Sequence, residues 1–167
     1  MLEAGCWQGG SSAKFSLICK MLGYRLCIYD SFEGVEEMTP EEKAKGTDFS
    51  GTYAAAESVV RENIMRYGDV TICHLHKGWF ADTLAKGTLP YSVQVAYIDC
   101  DLAKGTKEVL TGVVPTLLKN GVIFSQDFHL GTVREIILDK ATWIPFGKGI
   151  PDVKQLYRNL ASIRFND

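Results

Sequence analysis

Short apolar runs alternate along this chain with segments of helical periodicity. Runs of apolar residues occupy 25–29, 70–75, 93–98 and 122–124, and helical patterns cover 12–22, 54–67, 104–118 and 132–140. Continuous apolar runs between helices are typical of parallel strands that are covered on both faces. The alternation therefore predicts one α/β domain over residues 1–167, with a mostly parallel sheet and helices on both faces. Runs 143–146 and 161–165 are expected to close the sheet as an antiparallel pair, which makes seven strands.

The first strand and the turn after it are the most informative stretch. Only residues 1–4 precede the turn, so we expect the first strand to be truncated at its N-terminus. Gly5 suits a left-handed turn, and Gly9 lets the backbone approach a ligand at the start of a helix. The spacing is Gly-x-x-x-Gly-Gly and Glu3 precedes it, which favours a ligand with charges of both signs over a pyrophosphate. S-adenosylmethionine (SAM) is such a ligand, and a glycine-rich turn without a ligand is the alternative.

A different pattern follows the second strand. The segment 35–53 is acidic, contains Pro40 and lacks apolar periodicity, so we expect an irregular loop that acts as a mobile lid. Acidic residues also recur directly after the predicted strands, at Asp30, Asp99, Asp101 and Asp127. The carboxyl ends of the strands of an open α/β sheet face one crevice, where ligands bind. These carboxylates are therefore expected to meet at one site.

Composition narrows the class of partner. With 46% hydrophobic and 11% aromatic residues, the 167-residue chain has material for an ordinary core. A net charge of −2 and a pI near 5.9 argue against a nucleic-acid partner and favour a small organic substrate. Five cysteines without a Cys-x-x-Cys pair indicate reduced thiols and a cytoplasmic location. No apolar stretch is long enough to span a membrane, although apolar surface left by a truncation would favour self-association into a homo-oligomer.

Five segments in succession resemble the motifs of macrocin O-methyltransferases. They are LEAGCWQGGSS at 2–12, YDSFEG at 29–34, GWFADTL at 78–84, YIDCDL at 97–102 and SQDF at 125–128. The resemblance spans about residues 2–138 and implies the Rossmann-like class I methyltransferase fold. It also implies SAM as cofactor, a divalent metal that is usually magnesium, and methylation of sugar hydroxyl groups on natural products.

The same resemblance implies roles for individual residues. Asp101 is implied as the general base. The implied metal ligands are Asp99, Gln126 and Asp127. The implied cofactor-binding residues are Glu3, Gly5, Gly9, Ser11, Asp30, Ser31, Phe32, Gly78, Trp79, Phe80 and Asp99. A carboxylate such as Asp30 suits a ribose diol because it accepts hydrogen bonds from both hydroxyl groups.

The sequence departs from the family pattern at three positions. Gln126 stands where an acidic residue is usual, which predicts weaker magnesium binding. Gln8 replaces an arginine, and Ala103 replaces an aromatic residue. These departures favour, as the main alternative, a non-catalytic SAM- or nucleoside-binding domain with a degenerate metal site. A nicotinamide-dependent oxidoreductase is a second alternative, supported only by the generic strand–glycine–helix start and by Asp30.

Overall fold

A single seven-stranded sheet organises the molecule. The structure, a computed structural model, describes residues 1–87 and 89–166, without the side chains of residues 41 and 45. The strand order is β3-β2-β1-β4-β5-β7-β6, and β7 pairs antiparallel with both β5 and β6. The strands are β1 (Leu2–Ala4), β2 (Leu26–Asp30), β3 (Cys73–Lys77), β4 (Val93–Ile98), β5 (Leu117–Ser125), β6 (Asp152–Gln155) and β7 (Ala161–Arg164).

Helices cover both faces of the sheet. They are α1 (Gly10–Leu22), α2 (Pro40–Lys45), α3 (Glu57–Tyr67), α4 (Phe80–Thr83), α5 (Ala103–Thr116) and α6 (Gly131–Leu138). Side chains alternate between the faces along each strand, so β2 supplies two cores. Leu26 and Ile28 pack with α1 and α3, whereas Cys27 and Tyr29 belong to the larger core that includes α5 and α6. The predicted mostly parallel sheet with helices on both faces is confirmed.

The predicted closing strand at 143–146 is wrong. Trp143 is fully buried, and its indole nitrogen donates a hydrogen bond to the carbonyl oxygen of Ile137. The chain around it forms 3-10 turns at Lys140–Thr142 and Ile144–Phe146, and Pro145 suits such a turn better than a strand interior. The antiparallel partner of β7 is instead the exposed strand β6, whose mixed polar sequence carries little apolar signal.

The segment 35–53 is more ordered than its sequence suggests. It contains α2, which begins with a capping box between Thr39 and Glu42. Backbone hydrogen bonds of 2.9 Å join Val35 to both Gly51 and Thr52, so the segment leaves and returns at the same point. Such closed surface loops are compact units. The segment is therefore a closed loop over the carboxyl edge of the sheet, and its action as a mobile lid stays a prediction.

Apolar side chains are also exposed on the outer surface of α1. Ile18, Met21 and Leu22 are 51%, 85% and 62% exposed. This patch is a candidate surface for the expected self-association, which stays a prediction. In the described part of the chain, no helix has the length and apolar character needed to cross a membrane.

Candidate functional site

A cleft of about 400 Å³ lies at the carboxyl edge of the sheet, above the ends of β1 to β5. The sheet order reverses between β1 and β4, and ligands of open α/β sheets bind at such a reversal. Eleven residues named from sequence line the cleft: Gly5, Ser11, Asp30, Ser31, Gly78, Trp79, Phe80, Asp99, Asp101, Gln126 and Asp127. The structure thus gathers residues that are up to 122 positions apart in the sequence.

The turn after β1 forms the floor of this cleft. Gly5 has a φ of +83°, and a Cβ atom there would lie 1.8 Å from the carbonyl oxygen of Asp99. Only glycine satisfies both the left-handed backbone and this close approach of β1 to β4. Gly9 also has a positive φ and ends the turn as the N-cap of α1. No described side chain caps α1, and Gly10 and Ser11 in its first turn line the cleft, so backbone N–H groups there are available to a ligand.

Asp30 ties the end of β2 to this turn. Its Oδ2 accepts a hydrogen bond of 2.8 Å from the amide of Cys6, and its Oδ1 accepts one of 2.7 Å from the amide of Phe32. Each carboxylate oxygen can accept two hydrogen bonds, so both oxygens keep capacity for a ligand. Asp30 therefore combines a structural role with a free acceptor face in the cleft.

Asp99, Asp101 and Asp127 form a crowded carboxylate cluster at the ends of β4 and β5. Burial raises the pKa of Asp99 to about 8, with further increases caused by the negative charges of Asp127 and Asp101. Burial also raises the pKa of Asp101 to about 6, with Asp127 adding to the increase. For Asp127, burial raises the pKa, and hydrogen bonds from the amides of Asp101 and Cys100 oppose the increase. Burial thus raises the pKa of all three carboxyl groups in the cluster.

A tight turn directs Asp101 toward the cleft. Asp101 has a φ of +60°, a conformation that aspartate adopts more readily than most residues. Its amide and that of Cys100 donate hydrogen bonds of 2.9 and 2.8 Å to Oδ2 of Asp127. Residues held in sparsely populated backbone conformations occur preferentially at functional sites. Asp127, which is 3% exposed, thus supports the turn in addition to lining the cleft.

The residues implied as metal ligands offer hard oxygen donors. Asp99 and Asp127 are close enough to interact directly, and the side-chain oxygen of Gln126 accepts a hydrogen bond of 2.9 Å from the Tyr97 hydroxyl. Magnesium is usually held by one or two carboxylates, with water or substrate completing its shell. The donor set fits such an open site. No group of three or more histidine, cysteine, aspartate or glutamate side chains within 1–87 and 89–166 is arranged to hold an ion.

Three residues named from sequence do not line the cleft. Glu3 is completely buried beneath it, where its Oε2 accepts a hydrogen bond of 2.5 Å from Ser12 and its Oε1 has no hydrogen-bond partner among the described residues. Burial raises the pKa of Glu3 to about 7. The side chain of Phe32 lies in the core with Val60 and Ile64, and Gly9 lies against Val60. Their placement indicates that they support the cleft from below.

Several lining residues were not identified from sequence. Trp7, Phe49 and Tyr53 form an aromatic rim, with ring centroids of Tyr53 at 5.7 Å from Trp7 and 6.4 Å from Phe49. Glu36 and Glu108 add two carboxylates. The one sequence signal for this rim is the presence of aromatic residues in glycine-rich segments without apolar periodicity. Such side chains do not belong to the buried face of a predicted helix or strand.

The two histidines of β3 lie away from the cleft lining. The ring of His76 stacks on Tyr29 with centroids 4.3 Å apart, and its buried Nε2 has no hydrogen-bond partner in the part of the chain that the structure describes. Burial lowers the pKa of His76. His74 is exposed on the same strand. His129, in contrast, lines the cleft beside Asp127.

The cleft carries a strong excess of negative charge. Six carboxylates line it: Asp30, Glu36, Asp99, Asp101, Glu108 and Asp127. Its lining within the described ranges includes no lysine or arginine, and Lys104 near the rim already binds both carboxylate oxygens of Glu36 at 2.6 and 2.7 Å. A surface of this kind attracts cations and repels phosphates.

Comparisons with known proteins agree with this architecture. The family model for macrocin O-methyltransferase (TylF) matches residues 1–141, and no curated protein matches the chain. The O-methyltransferase NovP superposes with a TM-score of 0.82 at 20% identity, covering 100% of this chain and 72% of its own. CalS11 is a calicheamicin methyltransferase that a second structure describes as a TDP-rhamnose 3'-O-methyltransferase. It scores 0.77 at 18% identity with the same coverage.

A third solved structure was determined with S-adenosylhomocysteine (SAH) bound. It is the Podospora anserina methyltransferase PaMTH1, with a TM-score of 0.58 at 17% identity, covering 99% of this chain and 71% of its own. At these identities the structural likenesses establish the fold. The match to the family model, which covers most of the chain, identifies the protein family.

Proposed function

Since the chain belongs to the macrocin O-methyltransferase family, we propose that it transfers the methyl group of SAM to a hydroxyl group on the sugar of a small molecule. The observation that carries this proposal is the acidic cleft at the reversal of strand order. SAM has a sulfonium, an ammonium and one carboxylate, so its net charge is positive. A nicotinamide dinucleotide carries two phosphates and fits the same lining poorly, which argues against an oxidoreductase.

The residues around the cleft are proposed to bind three parts of SAM. Asp30 and Ser31 hold the ribose, and Trp79 and Phe80 form the adenine wall, while the turn at Gly5 and Ser11 receives the amino-acid end. An acceptor carboxylate suits the vicinal hydroxyl groups of ribose. In this arrangement the sulfonium faces the carboxylate cluster at the ends of β4 and β5, where the acceptor must enter.

We also propose a cytoplasmic location for the protein, which the five buried free cysteines support.

The proposed chemical step is a direct displacement at the methyl carbon. The acceptor oxygen forms a bond to this carbon while the carbon–sulfur bond breaks and its electron pair returns to sulfur. Asp101 accepts the proton of the acceptor hydroxyl, and the elevated pKa of its side chain suits a base that works near neutral pH. Alignment of oxygen, carbon and sulfur by the cleft supplies a large part of the rate enhancement.

Magnesium is proposed to bind at Asp99, Asp127 and Gln126. When bound, it supplies positive charge that lowers the pKa of a coordinated hydroxyl group. The support is the donor set together with the raised pKa of Asp99, which burial and the charges of Asp127 and Asp101 cause, since a bound cation favours ionised carboxylates. Gln126 provides a neutral oxygen, so the affinity for magnesium is expected to be lower than with a third carboxylate.

Replacing Asp30 by alanine is expected to weaken SAM binding by about 100-fold, because two hydrogen bonds to ribose are lost. Isothermal titration of the purified chain with SAM, with and without MgCl2, measures this change. Glu33→Ala is the matched control because it removes the same charge from a side chain that is 59% exposed. Thermal unfolding identifies any loss of folding, since Asp30 also binds two backbone amides. Equal SAM affinities in all three proteins would contradict the proposed ribose site.

Replacing Asp99 by asparagine is expected to weaken magnesium binding by about tenfold, because the ion loses one anionic ligand. The measurement is the melting temperature of SAM-bound protein as MgCl2 is increased. Asp82→Asn serves as the control, since this exposed carboxylate pairs with Lys86 outside the cleft. An identical magnesium response of Asp99→Asn and wild type would place the ion elsewhere.

A non-catalytic SAM-binding domain is the second candidate. Gln126 favours it, because this residue leaves two carboxylates at the site implied for metal. This candidate would be supported if the chain binds SAM but transfers no methyl group to sugar acceptors, either with or without magnesium. Magnesium-dependent formation of SAH from SAM and a glycoside would exclude it.

A further inference from the structure

Glu3, on β1, is a buried carboxylate to which the proposed methyl transfer assigns no step. Its side chain is completely buried, and its Oε2 accepts a hydrogen bond of 2.5 Å from the Ser12 hydroxyl. Its Oε1 is also buried and finds no hydrogen-bond partner within residues 1–87 and 89–166. A buried carboxylate is costly to ionise unless a cation or several hydrogen bonds compensate for the lost water. Glu3 therefore lies in the protein with an incomplete set of partners.

The ionisable groups that surround Glu3 do not compensate for its charge. They come from α1, from the turn after β1 and from the neighbouring strands, and they are all acids: Cys6, Cys19, Asp30, Cys73, Tyr97 and Asp99. Burial raises the pKa of Glu3 to about 7, the hydroxyl groups of Ser11 and Ser12 oppose the increase, and the charge of Asp30 adds to it. The carboxyl group therefore changes its charge near neutral pH.

Ser11 connects this buried group with the cleft. Ser11 and Ser12 are adjacent in the first turn of α1, and Ser11 lines the cleft whereas Ser12 is completely buried. A hydroxyl group has one hydrogen to donate and lone pairs that accept. Beside an ionised Glu3, the hydroxyl donates its hydrogen inward and keeps its lone pairs for a donor in the cleft. Beside a protonated Glu3, it can accept from Glu3 and turn its own hydrogen outward.

We propose that Glu3 is a proton-linked positioning residue, which does not touch SAM but loses a proton to solvent when the ammonium group of SAM binds beside Ser11. This inference rests on the proposed function, in which the turn at Gly5 and Ser11 receives the amino-acid end of SAM. The ammonium group supplies the positive charge that the surroundings of Glu3 lack, and it donates a hydrogen bond to the outward lone pairs of Ser11.

The sign of the pH dependence follows from this linkage. A ligand that favours the ionised form of Glu3 binds more tightly as the pH rises through the pKa of that group in the free protein. If binding to the ionised form is about tenfold tighter, the affinity for the cofactor rises by about sixfold between about pH 5.5 and about pH 7.5 through Glu3 alone. Mild acidification therefore lowers methyl transfer by weakening cofactor binding.

Counting protons by calorimetry tests the inference without requiring turnover. SAH has the same amino-acid end as SAM, and it is titrated into the full chain without metal, at about pH 6.5, in phosphate and in imidazole buffer. The two buffers differ in their enthalpy of ionisation, so the difference between the measured heats gives the number of protons released. We expect wild type to release about half a proton more than Glu3→Gln. Protons released by other groups occur in both proteins and cancel in this difference.

A second ligand separates the two ends of the cofactor. 5′-Methylthioadenosine contains the nucleoside and lacks the amino-acid end, so it brings no ammonium group to Ser11. It should release the same number of protons from wild type and from Glu3→Gln. The affinity for SAH, measured across the same pH range, should rise less steeply in Glu3→Gln than in wild type.

Three controls separate proton linkage from damage to the fold. Glutamine keeps the size of the Glu3 side chain and can still accept from Ser12, and thermal unfolding checks the variant. Glu62→Gln, at an exposed position of α3, is the matched control and should release as many protons as wild type. Ser11→Ala leaves the buried carboxyl group in place and removes its connection with the cleft, so it should also lose the extra proton. This variant provides the test if Glu3→Gln does not fold.

Each result bears on one of the two proposals. Equal proton release on SAH binding by wild type and Glu3→Gln, or by wild type and Ser11→Ala, overturns the linkage. Equal release from wild type by SAH and by 5′-methylthioadenosine overturns the role of the ammonium group. Both results leave the cofactor site intact, since the ligands bind. Failure of the folded wild-type chain to bind either SAM or SAH instead overturns the proposed function itself.

Discussion

Changing Asp101 to asparagine is expected to lower kcat for methyl transfer by about 10²- to 10⁴-fold, the usual contribution of a general base. Asparagine keeps the size of the side chain and tolerates the φ of +60° at this position. The backbone amide of residue 101 can still donate its hydrogen bond to Asp127. The loss should therefore fall on proton transfer, with SAM affinity and melting temperature near those of wild type.

The measurement is the rate of SAH formation at saturating SAM and acceptor, together with a SAM titration of the same variant. Asp152→Asn is the control, because this exposed carboxylate lies on the edge strand β6, far from the cleft lining. Retention of more than about a third of wild-type kcat by Asp101→Asn would contradict its assignment as the base. A parallel loss of SAM binding would instead assign Asp101 to the cofactor site.

The second large effect is expected from Gly5→Ala. A methyl group at this position would lie 1.8 Å from the carbonyl oxygen of Asp99, and the φ of +83° is unfavourable for alanine. The added atom must push the end of β1 away from the end of β4, where the carboxylate cluster lies. We expect the free energy of unfolding to fall by about 3 kcal/mol or more, measured by urea denaturation.

Gly23→Ala separates the two causes of that loss. Gly23 has a φ of +71°, and a Cβ atom there meets nothing within 4 Å. This control should lose only the cost of the left-handed backbone, about 1 kcal/mol. The difference between the two variants then reports the contact with Asp99. Equal losses at both positions would show that the contact of the added methyl group with Asp99 has no cost.

Local sequence accounts for most elements of the fold. The strands β2 and β4 could be predicted from their apolar runs, and the helices α1 and α5 from their helical periodicity. Burial of one or both faces of an element imposes a regular spacing on its apolar residues. The exposed strand β6 was missed, since its pairing with β7 satisfies backbone hydrogen bonds without requiring apolar side chains. The strand predicted at 143–146 was wrong because the apolar residues of this run pack into the core from 3-10 turns, not from a strand.

The sequence by itself determined which residues could meet at one edge. Strand ends of a parallel sheet face the same side, so Asp30, Asp99 and Asp127 were expected together. The tertiary structure decided where each candidate side chain lies relative to the cleft. It buried Glu3 beneath the cleft, turned the Phe32 side chain into the core and used Asp127 to hold the turn at Asp101.

A second cavity, of about 370 Å³, could not be predicted from the sequence. Its walls come from the closed loop 35–53 and from α6, which are joined neither by a motif nor by a shared period. Their meeting depends on where the loop returns, and the hydrogen bonds of Val35 with Gly51 and Thr52 set that point. Cavity shape and the sum of surrounding charges are properties of packed, distant segments. The sequence thus determined the edge of the sheet at which the carboxylates meet, and the packing of the closed loop on α6 decided the shape of the cavity beside that edge.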